Sequence, residues 1–217
     1  MHFAAALGHK GALEYLMAAQ GAAAAATKLN SAGLTPLSKA AEANQLECAK
    51  VMIAQGFGRK RADAPAGMQP VHAAAKMGAL ATLMHLAEVD PAVLEERDQN
   101  GATAAHFAAA TGQEGVLAYI IGKFSNELSE AQRNQASTDD AGWTPAHHAA
   151  NNGQQGSLRV LSDRGMPLAT ADKAGKTPAD VARSNNKTEC AIFLALKSND
   201  VHALLEAGTV GKALGSK

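Results

Sequence analysis

The sequence predicts an all-α fold in which short helix-turn-helix units stack on one another and the turns between units protrude. Three observations lead to this prediction. A Gly-containing motif recurs along the chain, large apolar residues follow it three and four positions apart, and small side chains have to fill the interior. The motif begins at Gly33, Gly67, Gly101, Gly142 and Gly175, with spacings of 34, 34, 41 and 33 residues.

The composition favours closely packed helices. The 217 residues include 50 alanines but only 5 Phe, 2 Tyr and 1 Trp, which suits thin helical layers better than the thick core of a β-sandwich. Lys and Arg total 20 and so do Asp and Glu, so the zero net charge predicts neither a nucleic-acid partner nor binding to an anionic membrane. No run of about 18 apolar residues is uninterrupted by charge, so we expect no membrane insertion.

Each motif is expected to start a helix. Thr35, Thr144 and Thr177 each precede a proline. Threonine is a good N-cap, and proline suits the first helical position because its missing N–H would have no partner there. We number repeat positions from the first helical residue, which is position 0. In the five repeats that contain it, this position holds Pro36, Pro70, Ala104, Pro145 and Pro178. Extended backwards, the register puts Met1 at position 1, inside an incomplete first repeat.

Fixed positions describe the rest of each unit. Position 4 is always alanine, as expected where two helices cross at close range: Ala4, Ala40, Ala74, Ala108, Ala149 and Ala182. Position 8 is Gly or Asn, the residues that end helices in the left-handed conformation: Gly8, Asn44, Gly78, Gly112, Gly153 and Asn186. A second helix carries its apolar stripe at positions 13, 16 and 17.

The motif Gly-x-Thr-Pro-x-His-x-Ala-Ala resembles the ankyrin repeat, and residues 142–150 are the nearest copy. The resemblance covers about residues 1–197. It implies a solenoid of six repeats at residues 1–29, 30–63, 64–97, 98–138, 139–171 and 172–198. A capping helix is expected at 199–208, completing a single domain of residues 1–208, with a tail at 209–217. Some repeats depart from the motif without shifting the register: Ala104 replaces Pro, Gln69 replaces Thr, and Ser38 and Asp180 replace His.

The histidines invite a metal-site interpretation that the repeat geometry opposes. Neighbouring helices stack roughly 8–10 Å apart, whereas each ligand of a zinc ion lies about 2 Å from it. We therefore expect the position 2 histidines to bond turn backbone, and the adjacent His148 to lie at the surface. The position 2 histidines are His2, His72, His106 and His147.

The cysteines and the basic residues have equally ordinary interpretations. Cys48 and Cys190 share position 12 and are expected to be small, reduced packing residues, since two cysteines do not make a disulfide scaffold. The basic run at residues 58–61 is expected to be a solvated loop, with phosphate binding or nuclear targeting as alternatives. The apolar stretch at residues 1–26 lacks a basic n-region. We expect no recognisable signal peptide, and a cytoplasmic or other reducing compartment, organelle interiors included.

The resemblance implies a curved solenoid whose turn tips and first helices line a concave face that binds other proteins. No grouping of acid, base and nucleophile suggests catalysis, and no cofactor or metal is expected. The first hypothesis is a non-catalytic protein-interaction module, a scaffold or accessory subunit, alone or in a larger assembly. The alternative is a regulatory or inhibitory ankyrin domain of an enzyme or effector.

The resemblance also implies where the partner binds. In the family, position −2 lies at the turn tip and positions 6 and 7 lie at the exposed end of the first helix. These positions give Leu34, Met68, Met77, Trp143, Asn151, Asn152 and Lys176 as the expected protein-binding residues. Trp, Leu and Met exposed along one side would form an apolar patch of the kind that marks protein contacts. Alternatively, Trp143 folds back over the neighbouring tip and only shields it.

Overall fold

The computed structural model describes residues 1–21, 28–57, 69–124 and 138–198. Within these ranges the regular structure is helical and contains no strand, which confirms the all-α prediction. The first helices of the repeats are α1 (His2–Ala6), α3 (Pro36–Glu42), α5 (Pro70–Met77), α7 (Ala104–Thr111), α9 (Pro145–Asn152) and α11 (Pro178–Ser184). The second helices are α2 (Lys10–Gln20), α4 (Leu46–Ala54), α6 (Leu80–Val89), α8 (Glu114–Phe124), α10 (Gln155–Asp163) and α12 (Thr188–Lys197).

The starts of the first helices follow the Thr-Pro motif. The Thr35 hydroxyl accepts a hydrogen bond from the Ser38 N–H at 3.1 Å, and that of Thr177 accepts one from the Asp180 N–H at 3.3 Å. The Asp180 carboxylate in turn accepts the Thr177 N–H at 2.8 Å, which closes a reciprocal capping box. Asp180 thus takes over part of the role that histidine has in the full motif.

The ends of the first helices confirm the register in every repeat. All six residues at position 8 have positive φ: 76° at Gly8, 54° at Asn44, 74° at Gly78, Gly112 and Gly153, and 56° at Asn186. At Gly153 the left-handed turn brings the Gln154 N–H to the Ala149 carbonyl at 2.8 Å, so that helix α9 closes its last turn before the chain reverses.

The described residues fall into two compact units, one ending at Ala104 and the other beginning at Ala105. In the first unit, α1 packs on α2 and α3, and α3 packs on α5, while α4 lies between α2 and α6. A 3₁₀ helix, Pro91–Glu95, follows α6 and packs against it. In the second unit, α9 contacts α10 and α11, and α10 contacts α8 and α12.

Small side chains occupy the helix crossings, as the composition predicts. The position 4 alanines of repeats two to six are fully buried, so no larger side chain fits at these crossings. The apolar stripe of the second helices is buried as well, at residues that include Leu13, Met52, Leu83, Leu117, Leu158 and Leu194.

Several expected features lie outside the described residues: Met68, the basic run at 58–61, the cap at 199–208 and the tail at 209–217. Among the helices that are described, none combines the length and the apolar character needed to cross a membrane.

One glycine pair tests the left-handed turn. Gly153→Ala should lower the free energy of unfolding by about 1 kcal/mol, because an L residue is strained at φ 74°. Gly115→Ala, inside α8 where an added Cβ meets nothing within 4 Å, should raise it by about 0.5 kcal/mol. Urea denaturation of both variants makes the comparison, and shifts of the same sign would contradict the assigned conformations.

Candidate functional site

A buried histidine ties one repeat to the turn of the next. The His147 Nδ1 accepts the Thr144 N–H at 3.0 Å, which holds the start of its own helix. Its Nε2 lies 3.0 Å from the Lys176 carbonyl oxygen, which belongs to the following turn. Since Nδ1 accepts, Nε2 carries the proton and donates. One neutral imidazole therefore joins a helix start to the neighbouring turn, as the sequence analysis expected of the position 2 histidines.

The other position 2 histidines make the same kind of bond. The Nε2 of His2 lies 3.0 Å from the Leu34 carbonyl oxygen, and that of His106 lies 3.0 Å from the Trp143 carbonyl oxygen. The Nε2 of His72 reaches instead the Glu96 carbonyl oxygen, at 2.9 Å, just beyond the 3₁₀ helix. The prediction that these histidines bond turn backbone is confirmed for His2, His106 and His147, whereas His72 bonds a backbone carbonyl in the connector before the turn.

Burial favours the neutral form of two of these imidazoles, His72 and His147. Removal from water lowers the pKa of His147 and of His72 below the ordinary histidine value, because the charged form loses its hydration. The backbone carbonyls they face, and for His147 the nearby Asp172, oppose that shift only in part. In the part of the chain that the structure describes, no three or more His, Cys, Asp or Glu residues are grouped so that they could hold a metal ion.

An Asp or Asn that we did not predict from the sequence shapes each described turn. The side-chain oxygen at position −6 accepts two backbone N–H groups, two and four residues further on. For Asp172 the donors are Ala174 at 2.8 Å and Lys176 at 2.8 Å. The same pair of bonds is made by Asn30, Asp98 and Asp139. The signal is visible in the sequence, because each of these residues stands three positions before the glycine of its motif.

Trp143 joins two neighbouring turns instead of standing free. Its indole N–H donates to Asp172 Oδ2 at 2.9 Å. The indole ring stacks on His147, with centroids 5.9 Å apart, and meets His148 edge-on at 5.2 Å. The side chain is half-buried. Its contacts match the alternative interpretation, in which it folds over the neighbouring tip.

The backbone strengthens this junction between the turns of repeats five and six. The Lys173 N–H donates to the Ala141 carbonyl at 3.2 Å, and its ammonium group donates to the Asp140 carbonyl at 2.6 Å. A Cβ on Gly142 would come within 2.9 Å of the Lys173 nitrogen, so only glycine allows the two turns this close an approach. The two tips therefore form a fixed surface.

The expected binding residues divide by exposure. Asn152 and Lys176 are exposed, Asn151 is half-buried, and Met77 is 50% exposed. The expectation that Leu34 is exposed is wrong, because its side chain is buried while its carbonyl is held by His2. The amide of Asn185 donates to Asn151 Oδ1 at 3.0 Å, which links the ends of α9 and α11.

His148 and the two cysteines occupy the kinds of position expected of them. His148 is partly exposed and its Nε2 pairs with Asp139 Oδ2 at 3.0 Å. Cys48 and Cys190 are buried and unbridged, and burial raises the pKa of both thiols, which disfavours the reactive thiolate. Thr82, Val116 and Ser157 are buried at the same position, so it is a site for small packing residues.

The family model described as "Ankyrin repeats (3 copies)" matches residues 1–93 and 123–204. No curated protein matches the chain. The two matched ranges include five of the six first helices and three of the four position 2 histidines, His2, His72 and His147. Between them lies α7, the helix whose first residue is Ala104 in place of proline.

The burial of His72 and His147 predicts that the stability of the fold depends on pH. Because the folded state lowers the pKa of His72 and His147, the unfolded chain binds protons first as the pH falls. Their contribution is complete above about pH 6.5 and is lost as the pH drops from there through the folded-state values. Urea midpoints at about pH 7.5 and about pH 5.5 measure the loss. The urea midpoint of His147→Asn should fall less between these two pH values than that of the parent. An equal fall would show that His147 does not contribute to the pH dependence.

The indole bond predicts a role for Trp143 in stability. Trp143→Phe keeps a ring over His147 but removes the N–H that Asp172 accepts. We expect a fall in Tm of about 2–4 °C. Asp172→Asn should lower Tm by less than Asp172→Ala, because an amide oxygen can still accept the turn N–H groups. An unchanged Tm for Trp143→Phe would show that the bond does not hold the tips together.

Proposed function

Because the chain belongs to the ankyrin-repeat family, we propose that it is a non-catalytic protein-interaction module, a scaffold or accessory subunit that binds its partner through turn tips and first-helix ends. Ankyrin repeats generally mediate protein–protein interaction. The proposal concerns which surface of this chain does so. The observation that carries it is the fixed junction of two turns in repeats five and six.

Rigidity is what makes this junction a good binding surface. The Asp172 carboxylate, the Trp143 indole and the Lys173 backbone hold the two tips together before any partner arrives. A surface that is already ordered loses little conformational entropy on binding, so more of the contact energy appears as affinity. Flexible loops of the same composition would lose part of that affinity to ordering.

The exposed groups at the turn tips and at the end of α9 suit a polar partner surface. Lys176 offers an ammonium group that can pair with a carboxylate, and the exposed Asn152 offers an amide that can both donate and accept. Trp143, half-buried at the junction, offers the edge of an apolar ring. The first unit has an exposed apolar group of its own, Met77, which offers a flexible contact of the kind that adapts to a partner.

The same histidine bonds argue against a catalytic role. A general base needs a ring nitrogen that can reach a substrate proton. In His72 and His147, Nδ1 accepts the N–H at the start of its own helix and Nε2 faces a carbonyl oxygen, so both nitrogens are occupied. We therefore assign them to structure.

Site-directed photocrosslinking in an extract of the source cells tests the proposal. A photoreactive amino acid replaces Lys176 at the junction or Asn152 at the end of α9 and, as a matched control, the exposed Arg159 of α10 in the same region of the chain. We expect a discrete protein adduct from the first two positions and none from Arg159. Adducts from Arg159 alone would contradict the proposed surface.

The captured protein then allows an affinity test. Asn152→Ala combined with Lys176→Glu should weaken its binding at least tenfold, about 1.4 kcal/mol, while Tm stays near that of the parent. Arg159→Glu is the matched control and should leave the affinity unchanged. Equal losses in both variants would reject the junction as the binding surface.

A further inference from the structure

Two polar side chains at first-helix ends of the second unit are held by their own helices. In α9, the amide nitrogen of Asn152 donates to the His148 carbonyl oxygen at 3.0 Å. At the end of α11, the amide nitrogen of Asn185 donates to the Val181 carbonyl oxygen at 3.0 Å. Each bond runs to the residue four positions earlier, so both amides have a fixed orientation before any partner arrives.

The same bonds decide which atoms these side chains offer to a partner. A side-chain amide has two N–H groups and one oxygen. Asn185 uses both N–H groups, because its nitrogen also donates to Asn151 Oδ1 at 3.0 Å. Its exposed side chain therefore offers the oxygen, Oδ1. Asn152, which is also exposed, offers Oδ1 together with one N–H. We call Asn152 and Asn185 the acceptor pair.

The acceptor pair is a feature of the second unit and not of the repeat position. Asn152 and Asn185 both stand at position 7 of their repeats. In the first unit the same position holds Leu7, Ala43 and Met77, which have no amide or hydroxyl group. A partner segment that reads hydrogen bonds at this position has to do so in the second unit.

A lysine decides which kind of donor suits these oxygens. Two kinds of partner group can donate to them, a cationic side chain and a neutral peptide N–H. The stem of Lys187 passes over the end of α9, since its Cδ would lie 3.1 Å from a Cβ on Gly153. The lysine therefore places a positive charge near this end of the helix. A cationic partner group would be repelled by that charge, so the neutral peptide N–H is favoured.

The spacing of the helices selects the conformation of the peptide. The pair stands on the neighbouring helices α9 and α11, and stacked helices lie about 8–10 Å apart. In a polyproline II segment, residues i and i+3 face the same side about 9 Å apart. In a β-strand, the residues that face one side are only about 7 Å apart. The polyproline II conformation therefore fits the spacing better.

We propose that the acceptor pair binds the main chain of an extended, polyproline II-type segment of the partner protein. One peptide N–H donates to Asn152 Oδ1, and the N–H three residues away donates to Asn185 Oδ1. Neither of these two partner residues is proline, which has no N–H. The inference rests on the proposed function, because it names the kind of segment that these first-helix ends bind.

Selection from a library of short random peptides on the full chain supplies a probe. Leucine has nearly the size of asparagine but neither donates nor accepts, so Asn152→Leu and Asn185→Leu each remove one half of the pair. We expect peptides that bind the parent and bind each variant about tenfold more weakly or less tightly still. Arg159→Leu, on the exposed face of α10, is the matched control and should bind them as the parent does. Enrichment of no such peptide would overturn the proposal.

Replacing single peptide bonds of a selected peptide by ester bonds tests whether its main chain is read. An ester lacks the N–H but keeps the side chain. With the parent protein, ester replacement should weaken binding about fivefold or more at two positions that are three residues apart. One of these losses should disappear in Asn152→Leu and the other in Asn185→Leu. Binding that ignores the esters, or that depends on Arg or Lys side chains of the peptide, would overturn the proposal.

The photocrosslinking experiment separates this inference from the proposed function. Adducts at Asn152 in the extract, without any ester-sensitive peptide, would reject the main-chain reading and leave the protein-binding surface in place. Adducts at Arg159 alone would reject the surface itself.

Discussion

The structure depends on one hydrogen-bonding unit, the neutral imidazole that joins a helix start to the next turn. In repeat five, His147 accepts the Thr144 N–H through Nδ1 and faces the Lys176 carbonyl through Nε2. A short helix of eight residues has little stability alone, because most of its end groups lack intrahelical partners. The imidazole satisfies one of those groups and at the same time fixes where the following turn lies.

The surface properties follow from this bond. In the last two repeats His147 holds the Lys176 carbonyl, Asp172 closes the same turn on itself, and the neighbouring tips lie close enough to bond each other. Between repeats five and six the Trp143 indole and the Lys173 backbone use that proximity. The proposed binding surface is therefore a consequence of how the repeats are joined, and a change at a buried histidine should alter it as surely as a change at an exposed lysine.

Most of the fold could be predicted from the sequence because it depends on local backbone requirements. A left-handed helix end at position 8 and a close helix crossing at position 4 each restrict which residue type can stand there. All six position 8 residues have the expected conformation. The site was harder, because side-chain exposure depends on neighbouring repeats. Leu34 was expected at an exposed tip, yet its side chain is buried, whereas Lys176 at the same position of its repeat is exposed. Trp143 had two interpretations, and its contacts with the neighbouring turn, which the sequence does not show, match the shielding one.

The tautomer of His147 tests the account most directly. Side-chain ¹⁵N NMR of the full chain at about pH 7 distinguishes a neutral ring protonated at Nε2 from one protonated at Nδ1 or at both nitrogens. The account predicts the neutral Nε2–H form, with slow solvent exchange and a scalar coupling across the hydrogen bond to the Lys176 carbonyl carbon. A ring protonated at Nδ1, or a charged ring in rapid exchange, would contradict the bond on which the joining of the repeats depends.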